Sequence, residues 1–272
     1  MRNRILQVKN IIILSVLSII AVSPYVVMII SCFSTSAAIK GSIIFSDFSI
    51  KNFAHNWNSL VETKNFTSSL SNSILVSTLS SVCGVIIASM AGYAFCIFNN
   101  RKNKALFLIT SFSMMIPTAA IIVPLFLVFK NTGLLNTYFA VIITSMSIPF
   151  LVFLFRQNTK LIPIDIIKSA RMDGAYELNI FFRIYVPCMK NVYVAALLIS
   201  FINAWTSVIF PMILLQSQDR FTFAIFLDSL GSLWYADYAV LMLALLVSSL
   251  PILIVYFIFQ RQIKSLIGGF GL

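Results

Sequence analysis

Six long apolar stretches without a charged residue limit what this chain can fold into. They are residues 11–33, 74–98, 105–129, 138–155, 191–215 and 239–260, and none contains Asp, Glu, Lys, Arg or His. A helix needs about 20 apolar residues to cross about 30 Å of hydrocarbon. The stretches are continuously apolar, whereas the strands of a membrane barrel alternate over about ten residues. The sequence therefore predicts an all-α, polytopic membrane protein with six transmembrane helices.

Composition excludes the other common classes of protein. Hydrophobic residues make up 60% of the chain and charged residues only 10%, whereas a soluble domain has about 25% charged residues.

Arg2, Arg4 and Lys9 before the first stretch resemble the start of a signal peptide, but its 23 apolar residues exceed the roughly 7–15 of a secretory signal. We therefore expect this stretch to remain in the protein as a membrane helix.

The distribution of Lys and Arg predicts the orientation of the helices. Fourteen of these residues lie in the N-terminus 1–10, the connections 99–104 and 156–190, and the tail 261–272, and only five lie in the other connections. Positive residues accumulate on the cytoplasmic side of a membrane, so both termini are predicted to be cytoplasmic. The net charge of +11 is thus a topology signal. Membrane lipid is an expected partner and nucleic acid is not.

The chain lacks the groups that catalysis or nucleotide binding would need. It has one histidine, His55, in a connection between two stretches, and its four cysteines form no CxxC pair. Neither a GxxxxGK[ST] loop nor a GxGxxG loop occurs, so any ATP that drives this protein is hydrolysed by another subunit. No catalytic residue, cofactor or metal site is expected in this chain.

The residues considered so far also agree with other classes of membrane protein. Ion-coupled secondary transporters commonly place ionisable residues in their spans, and this chain has none, but backbone carbonyls can also coordinate Na⁺. A membrane-embedded enzyme or an assembly scaffold is a further alternative. Copurification of an ATPase or of a solute-binding protein would separate ATP-driven import from all of these.

Polar residues and prolines interrupt several of the apolar stretches. An amide at membrane depth needs a hydrogen-bonding partner and faces either a helix interface or a wet cavity. Asn203 and Trp205 in the fifth stretch are therefore candidates for lining a pathway, with helix–helix contact as the alternative. Six prolines could kink or break the stretches: Pro24, Pro117, Pro124, Pro149, Pro211 and Pro251.

The segment 156–190 is predicted to form two short helices. Asp165 is the expected N-cap of the first helix, which stops near Gly174. The second helix runs from Tyr176 to Tyr185 and is ended by Pro187. Such a projection is either an interfacial helix on anionic lipid or a docking surface for a partner, and its three acidic residues and central turn favour docking.

The same segment resembles the permease subunits of binding-protein-dependent ABC importers, in particular the MalG-like carbohydrate branch. The family's cytoplasmic signature is EAA, three residues, G, nine residues and then I-x-x-P. Here Lys168, Ser169 and Ala170 are followed by Gly174 and by Ile184-Tyr185-Val186-Pro187. Further similar segments are 135–138, 201–205 and 257–261, so that the resemblance extends over most of the chain from about residue 72.

The resemblance implies a fold, a function and partners. The fold would be the MetI-like permease fold of type I ABC importers, in a bacterial inner (plasma) membrane. A second, MalF-like permease would complete the pathway, two ATPase subunits would bind ATP and Mg²⁺, and an external solute-binding protein would deliver a sugar or oligosaccharide.

The resemblance also implies a coupling helix that docks on an ATPase subunit. Because Lys168 replaces the signature glutamate, either the ATPase carries a matching change of charge, or the helix docks mainly through Ile167, Ala170, Met172 and Ala175. The implied coupling residues are Ile167, Lys168, Ser169, Ala170, Arg171, Met172, Asp173, Gly174 and Ala175.

The connection 216–238 is rich in aromatic residues and would lie outside the cell. In the MalG-like branch the corresponding loop contacts the solute-binding protein. By that resemblance the contact would be a flexible tip formed by Ser229, Leu230, Gly231 and Ser232, since glycine permits a tight reversal. The alternative is a membrane anchor in which Trp234 and Tyr235 lie at the interface.

Overall fold

The computed structural model describes residues 2–41, 47–98, 100–231 and 237–269. Throughout these ranges the regular secondary structure is helical, which confirms the predicted all-α class. The first eight helices are α1 (Arg2–Cys32), α2 (Ser36–Lys40), α3 (Ile50–Glu62), α4 (Phe66–Ile97), α5 (Arg101–Ser113), α6 (Thr118–Asn131), α7 (Tyr138–Met146) and α8 (Pro149–Thr159). The others are α9 (Ile164–Met172), α10 (Glu177–Ile180), α11 (Val186–Cys188), α12 (Lys190–Trp205), α13 (Ile209–Leu214), α14 (Phe223–Gly231) and α15 (Tyr238–Gly269).

Three of these helices are long and apolar enough to cross a membrane. Their apolar parts are Lys9–Cys32 of α1, the whole of α4, and Tyr238–Gln260 of α15. They correspond to the first, second and sixth apolar stretches of the sequence. These three stretches therefore form continuous helices, as expected.

The third, fourth and fifth stretches are each broken, and each contains one or more of the prolines that were expected to kink or break a stretch. α5 and α6 meet at 106°, and α7 and α8 meet at 40°, while the fifth stretch divides into α12 and α13. The third bent pair that could form one span is Glu177–Cys188 with Lys190–Trp205, and if each bent pair is one span, the described residues provide up to six crossings. The number of crossings and their limits stay predictions.

Prolines explain where these helices break. A proline ring clashes with the carbonyl four residues earlier and removes a backbone donor. α5, α7 and α12 end within six residues before Pro117, Pro149 and Pro211, respectively. Proline alone does not decide the outcome, because three others lie inside helices: Pro24 in α1, Pro124 in α6 and Pro251 in α15.

The described part of the chain divides into two compact units, of which the larger contains residues 68–225 and 252–272. One buried core of this unit joins α4, α8, α9 and α12 around Leu151, Phe155 and Tyr185. A second core joins α4, α6, α7 and α13. α4 therefore contributes to both cores.

Two glycines allow α4 to approach α7 and α8 closely. A Cβ atom on Gly84 would lie 2.8 Å from the carbonyl oxygen of Met146, and one on Gly92 would lie 2.6 Å from the Cβ of Phe155. Both distances are shorter than real contacts allow. Small residues at such positions are typical of packed membrane helices.

The smaller unit contains residues 1–67 and 226–251. The buried amide of Asn56 in α3 donates to the carbonyls of Cys32 (2.9 Å) and Ser34 (3.1 Å), which fixes the end of α1 against α3. Asp237 caps α15, since its carboxylate accepts from the amides of Ala239 (3.1 Å) and Val240 (3.2 Å). Such capping satisfies amides that a helix start leaves unpaired.

The apolar side chains of α1 are largely uncovered by this chain. Ile19 is 70% exposed, and the 18-residue apolar window of α1 contains no buried residue. An apolar surface of this extent requires lipid or another subunit around it.

Candidate functional site

The segment 156–190 forms the most distinctive projection of the larger unit. Its helix α9 begins at Ile164, directly after Pro163, whose fixed φ suits a helix start. The prediction that Asp165 is the N-cap is therefore wrong. Asp165 lies in the first turn, where a negative charge is favourable, and its carboxylate contacts the Nζ of Lys168 at 3.4 Å.

Gly174 ends α9 in the predicted place by a Schellman motif. It has a φ of +78°, in the left-handed region that favours glycine. Its amide donates to the carbonyl of Arg171 (3.1 Å), and the amide of Ala175 donates to that of Ala170 (3.0 Å). Both bonds pair carbonyls that the helix end would otherwise leave open.

The structure buries part of the face through which α9 was predicted to dock. Ile167 is only 1% exposed and belongs to the buried core beneath the helix, so it anchors α9 and is closed to a partner. Ala170 and Ala175 are half-buried against the same core. Met172 is 82% exposed.

The remaining coupling residues predicted from the sequence lie on the open surface of this projection. They are Lys168, Ser169, Arg171, Asp173 and Gly174. The surface open for docking therefore combines polar side chains with apolar ones, since Ile164 (48%) and Ile166 (45%) of α9 are exposed as well as Met172.

An ion pair bridges the turn after α9 and links it to the end of α4. The Nε of Arg171 donates to Oε1 of Glu177 at 2.8 Å, and the hydroxyl of Tyr93 in α4 donates to Oε2 at 3.2 Å. The hydrogen bond to Glu177 raises the pKa of Arg171 above its ordinary value. The guanidinium also lies 5.5 Å from the ring centre of Phe98, within cation–π range.

The second predicted helix of this segment continues further than expected. It comprises α10, a π turn from Phe181 to Tyr185, and α11. Pro187 does not end it, because the backbone is helical before the proline and stays so to Cys188. The break comes at Met189, and the direction changes by 83° into α12.

Aromatic packing holds this second helix to α4. The ring of Tyr93 lies 5.5 Å from that of Phe181 and 4.9 Å from that of Tyr185, which are favourable separations. The hydroxyls of Tyr185 and Thr159 are 2.8 Å apart in the core. The sequence pattern did not identify this cluster, because its members come from distant positions in the chain.

The two candidate pathway residues have different surroundings. Asn203 is exposed, and its amide donates to the carbonyl of Ile199 at 2.8 Å. Trp205 is 3% exposed, and its ring lies 5.8 Å from that of Phe201 and 6.4 Å from that of Phe223. Trp205 is thus a packing residue here, and only Asn203 is open to a cavity or a partner.

The predicted flexible tip of the 216–238 connection is helical as far as it is described. Ser229, Leu230 and Gly231 are the last residues of α14, and the hydroxyl of Ser229 donates to the carbonyl of Phe226 at 2.7 Å. Ser232, Trp234 and Tyr235 lie outside the described residues.

Asn136 forms a hydrogen-bonded latch that sequence reasoning did not find. It adopts a left-handed backbone with a φ of +59°, which asparagine tolerates. Its Oδ1 accepts from the amides of Gln216 (3.0 Å) and Ser217 (3.1 Å), and its Nδ2 donates to the hydroxyl of Ser217 (2.6 Å). Its amide donates to the carbonyl of Leu214 at 2.7 Å, and its carbonyl accepts from Arg220.

Asn72 at the start of α4 extends this latch. Its Nδ2 donates to the carbonyls of Asp219 (2.9 Å) and Phe221 (3.1 Å), and its Oδ1 accepts from the hydroxyl of Tyr138 (2.8 Å). The segment before α14 is thus fixed to both α4 and the start of α7. In the sequence, only the run from Leu135 to Tyr138 drew attention to this region, and it did so through its similarity to the permease family.

Among the described residues, no group of three His, Cys, Asp or Glu is placed to hold a metal ion. His55 is exposed on α3. Cys32, Cys83, Cys96 and Cys188 are free.

Comparison with known proteins identifies the family. A model of the binding-protein-dependent transport system inner membrane components matches residues 80–268, which include the whole of the 156–190 segment and Asn136. The chain therefore belongs to this family of ABC importer permeases.

Individual relatives agree with this assignment. The lactose transport system permease protein LacG of Rhizobium radiobacter is 30% identical over 99% of this chain and 98% of its own length. The arabinooligosaccharides transport system permease protein AraQ of Bacillus subtilis is 32% identical over 73% of this chain and 71% of its own length.

A solved structure confirms the fold. A chain from the crystal structure of a bacterial ABC transporter that imports the acidic polysaccharide alginate has a TM-score of 0.81. It is 24% identical, and the match covers 95% of this chain and 96% of that chain. The comparisons give no support to the ion-coupled alternative.

We predict that Gly174→Ala loosens the end of α9. No atom lies within 4 Å of the added Cβ, so the cost is the left-handed backbone alone, about 1–2 kcal/mol. The amides at positions 174 and 175 should then exchange with deuterium about tenfold faster. Gly231→Ala is the matched control, because its Cβ also meets nothing and its backbone is not left-handed. Equal exchange in both variants would contradict the role of Gly174.

We also predict that Asn136→Ala opens the latch. The change removes three side-chain hydrogen bonds, and a net loss of about 2 kcal/mol corresponds to a roughly thirtyfold drop in amide protection. Hydrogen exchange at Gln216 and Ser217 measures this drop. Asn203→Ala is the control, since that amide bonds only within α12. Unchanged protection in Asn136→Ala would show that the latch contributes no stability.

Proposed function

We propose that this chain is one half of the membrane pathway of an ATP-driven importer that takes up a sugar or oligosaccharide. One observation carries this proposal: α9 is anchored to the core by Ile167 while its other side is exposed. The family to which the chain belongs depends on partner proteins. The relatives named for lactose and for arabinooligosaccharides support a carbohydrate as the solute.

The proposed partners follow from what this chain leaves open. A second permease subunit covers part of the apolar surface of α1. Two ATPase subunits bind ATP and Mg²⁺, because this sequence has no nucleotide-binding loop. An external solute-binding protein delivers the sugar. This chain itself contributes no catalytic residue.

In this proposal α9 transmits the closure of the ATPase subunits to the membrane helices. A push on α9 reaches the core through Ile167 and reaches α4 through the contact of Glu177 with Tyr93. The Schellman turn at Gly174 and the ion pair between Arg171 and Glu177 keep the segment rigid when α9 is displaced. Alternating access is then a switch between two packed states that the partners favour differently.

The exposed charge of Lys168 indicates what charge the ATPase surface that receives α9 carries. Its side chain is 60% exposed, so its pair with Asp165 contributes little to stability and leaves the ammonium available. The ATPase groove that receives α9 therefore carries an acidic residue opposite Lys168.

The test is uptake by the complete importer in proteoliposomes. Lactose or an arabinooligosaccharide should accumulate inside with ATP hydrolysis that the loaded binding protein stimulates, and the chain alone should hydrolyse no ATP. Lys168→Glu should lower the stimulated hydrolysis about tenfold, because it places two negative charges together at the interface.

Lys160→Glu is the control for this charge reversal, since Lys160 is also exposed but lies outside α9. Stimulated hydrolysis that is equal in the two variants would reject the role of Lys168. Absence of uptake for every sugar tested would reject the proposed function.

The proposed orientation places both termini and α9 in the cytoplasm. In spheroplasts, an impermeant thiol reagent should label Lys51→Cys on α3 but not Lys168→Cys on α9, and opening the membrane should expose the latter. The opposite labelling pattern would overturn this topology.

A further inference from the structure

A cavity of about 430 Å³ lies where broken helices of the larger unit meet. Its wall includes the end of α5, the start of α6, the end of α7 and the start of α8, and Phe210 of α13 closes one side. This volume lies in the range of roughly 300–1,000 Å³ that is usual for small-molecule sites.

The helix breaks that form this cavity lie near the middle of two predicted membrane stretches, 105–129 and 138–155. In hydrocarbon, peptide groups at a break must be covered by protein or line a polar cavity. Transporters commonly bind their solutes at such interrupted helices near the middle of the membrane. The position of the cavity therefore agrees with a solute site better than with a surface that faces lipid.

Three of the four hydroxyls that line the cavity, those of Ser113, Thr144 and Ser147, are arranged as hydrogen-bond acceptors. Ser113 donates to the carbonyl of Thr110 (2.7 Å), and Ser147 donates to that of Ile143 (3.0 Å). Thr144 donates to the carbonyls of Ala140 (3.0 Å) and Val141 (2.9 Å). Each hydroxyl hydrogen is thus used within its own helix, and the oxygen lone pairs remain for a ligand that donates.

The remaining wall is uncharged. Each side chain that lines the cavity is apolar or carries a hydroxyl, and Phe129 and Phe210 offer aromatic surface to the apolar faces of a ring. A carboxylate here would lose its water without gaining a cation, which is costly. A sugar hydroxyl would find an acceptor.

We propose that this cavity is a subsite of the transport pathway for an uncharged, hydroxyl-rich ring of the imported sugar. Thr144, Ser147 and Ser113 accept hydrogen bonds from its hydroxyls, while Phe129 and Phe210 pack against the ring. This inference rests on the proposed function and adds to it that this subunit contacts the solute and selects against acidic sugars.

The first test compares two threonines in the complete importer. Thr144→Val removes the acceptor but keeps the shape of the side chain, and should reduce lactose or arabinooligosaccharide uptake per ATP hydrolysed about five- to tenfold, as expected for one lost hydrogen bond. Thr132→Val is the matched control. Its hydroxyl also donates to two carbonyls of its own helix, those of Val128 and Phe129, but it does not line the cavity.

The second test measures occupancy directly. In a variant whose four native cysteines are changed to alanine, Ser147→Cys should react with a small thiol reagent during turnover. The transported neutral sugar should slow this reaction at least threefold. An oligosaccharide of uronic acids should not slow it, and the reaction of Thr132→Cys should be unaffected by either sugar.

The outcomes separate this inference from the proposed function. The subsite alone would be overturned by two results together. The importer takes up the sugar but the sugar does not slow the reaction of Ser147→Cys, and uptake per ATP is the same in Thr144→Val and Thr132→Val. Protection by the uronate equal to that by the neutral sugar would overturn the selection against charge. Failure to import any sugar would reject the proposed function and the inference with it.

Discussion

In hydrocarbon an unpaired peptide group costs several kcal/mol, because no water can replace its partner. α5, α7 and α12 end before prolines inside apolar stretches, so their free backbone groups must be met by protein or by a polar cavity. Two of the breaks and Phe210 of α13 line one partly open cavity of the larger unit. The constraint that shapes the helices thus also brings hydroxyl-bearing residues of both breaks, Ser113, Thr144 and Ser147, to one cavity.

A comparable constraint operates at α9, outside the apolar stretches. A short surface helix must be fixed to the core by its own contacts, because otherwise it would move alone. Ile167 fixes α9 from below, Gly174 closes its end, and the carboxylate of Glu177 joins Arg171 to Tyr93. The side chains left open, among them Met172 and Lys168, are those a partner can reach.

The sequence predicted the class of fold and the position of the projection, because both depend on local patterns. Charge-free stretches show where helices lie in a membrane, and a glycine after an amphipathic run shows where a helix stops. Which prolines break a helix did not follow from the local pattern: Pro117 directly precedes α6, whereas Pro124 remains inside it.

The burial of Ile167 and Trp205 likewise depends on residues distant in the chain. The Asn136 latch needed both a left-handed backbone and a partner segment about 80 residues away. Neither requirement is visible in a run of four residues. The helical state of Ser229 and Gly231 was missed for another reason, because glycine and serine alone predict a turn.

α4 contacts both the segment that contains α9 and the end of α7. Tyr93 near one end touches Glu177, while Gly84, nine residues earlier and about 13 Å along the helix, lies against the carbonyl of Met146 at the α7 break. Gly92 holds the same helix against Phe155 and Arg156. Because α4 packs closely against α7 and α8 at these two glycines, a movement of α9 that displaces Tyr93 would also act on the end of α7, which carries Thr144. Under the proposed function, the close approach that the two glycines permit gives docking at α9 a physical route to the end of α7.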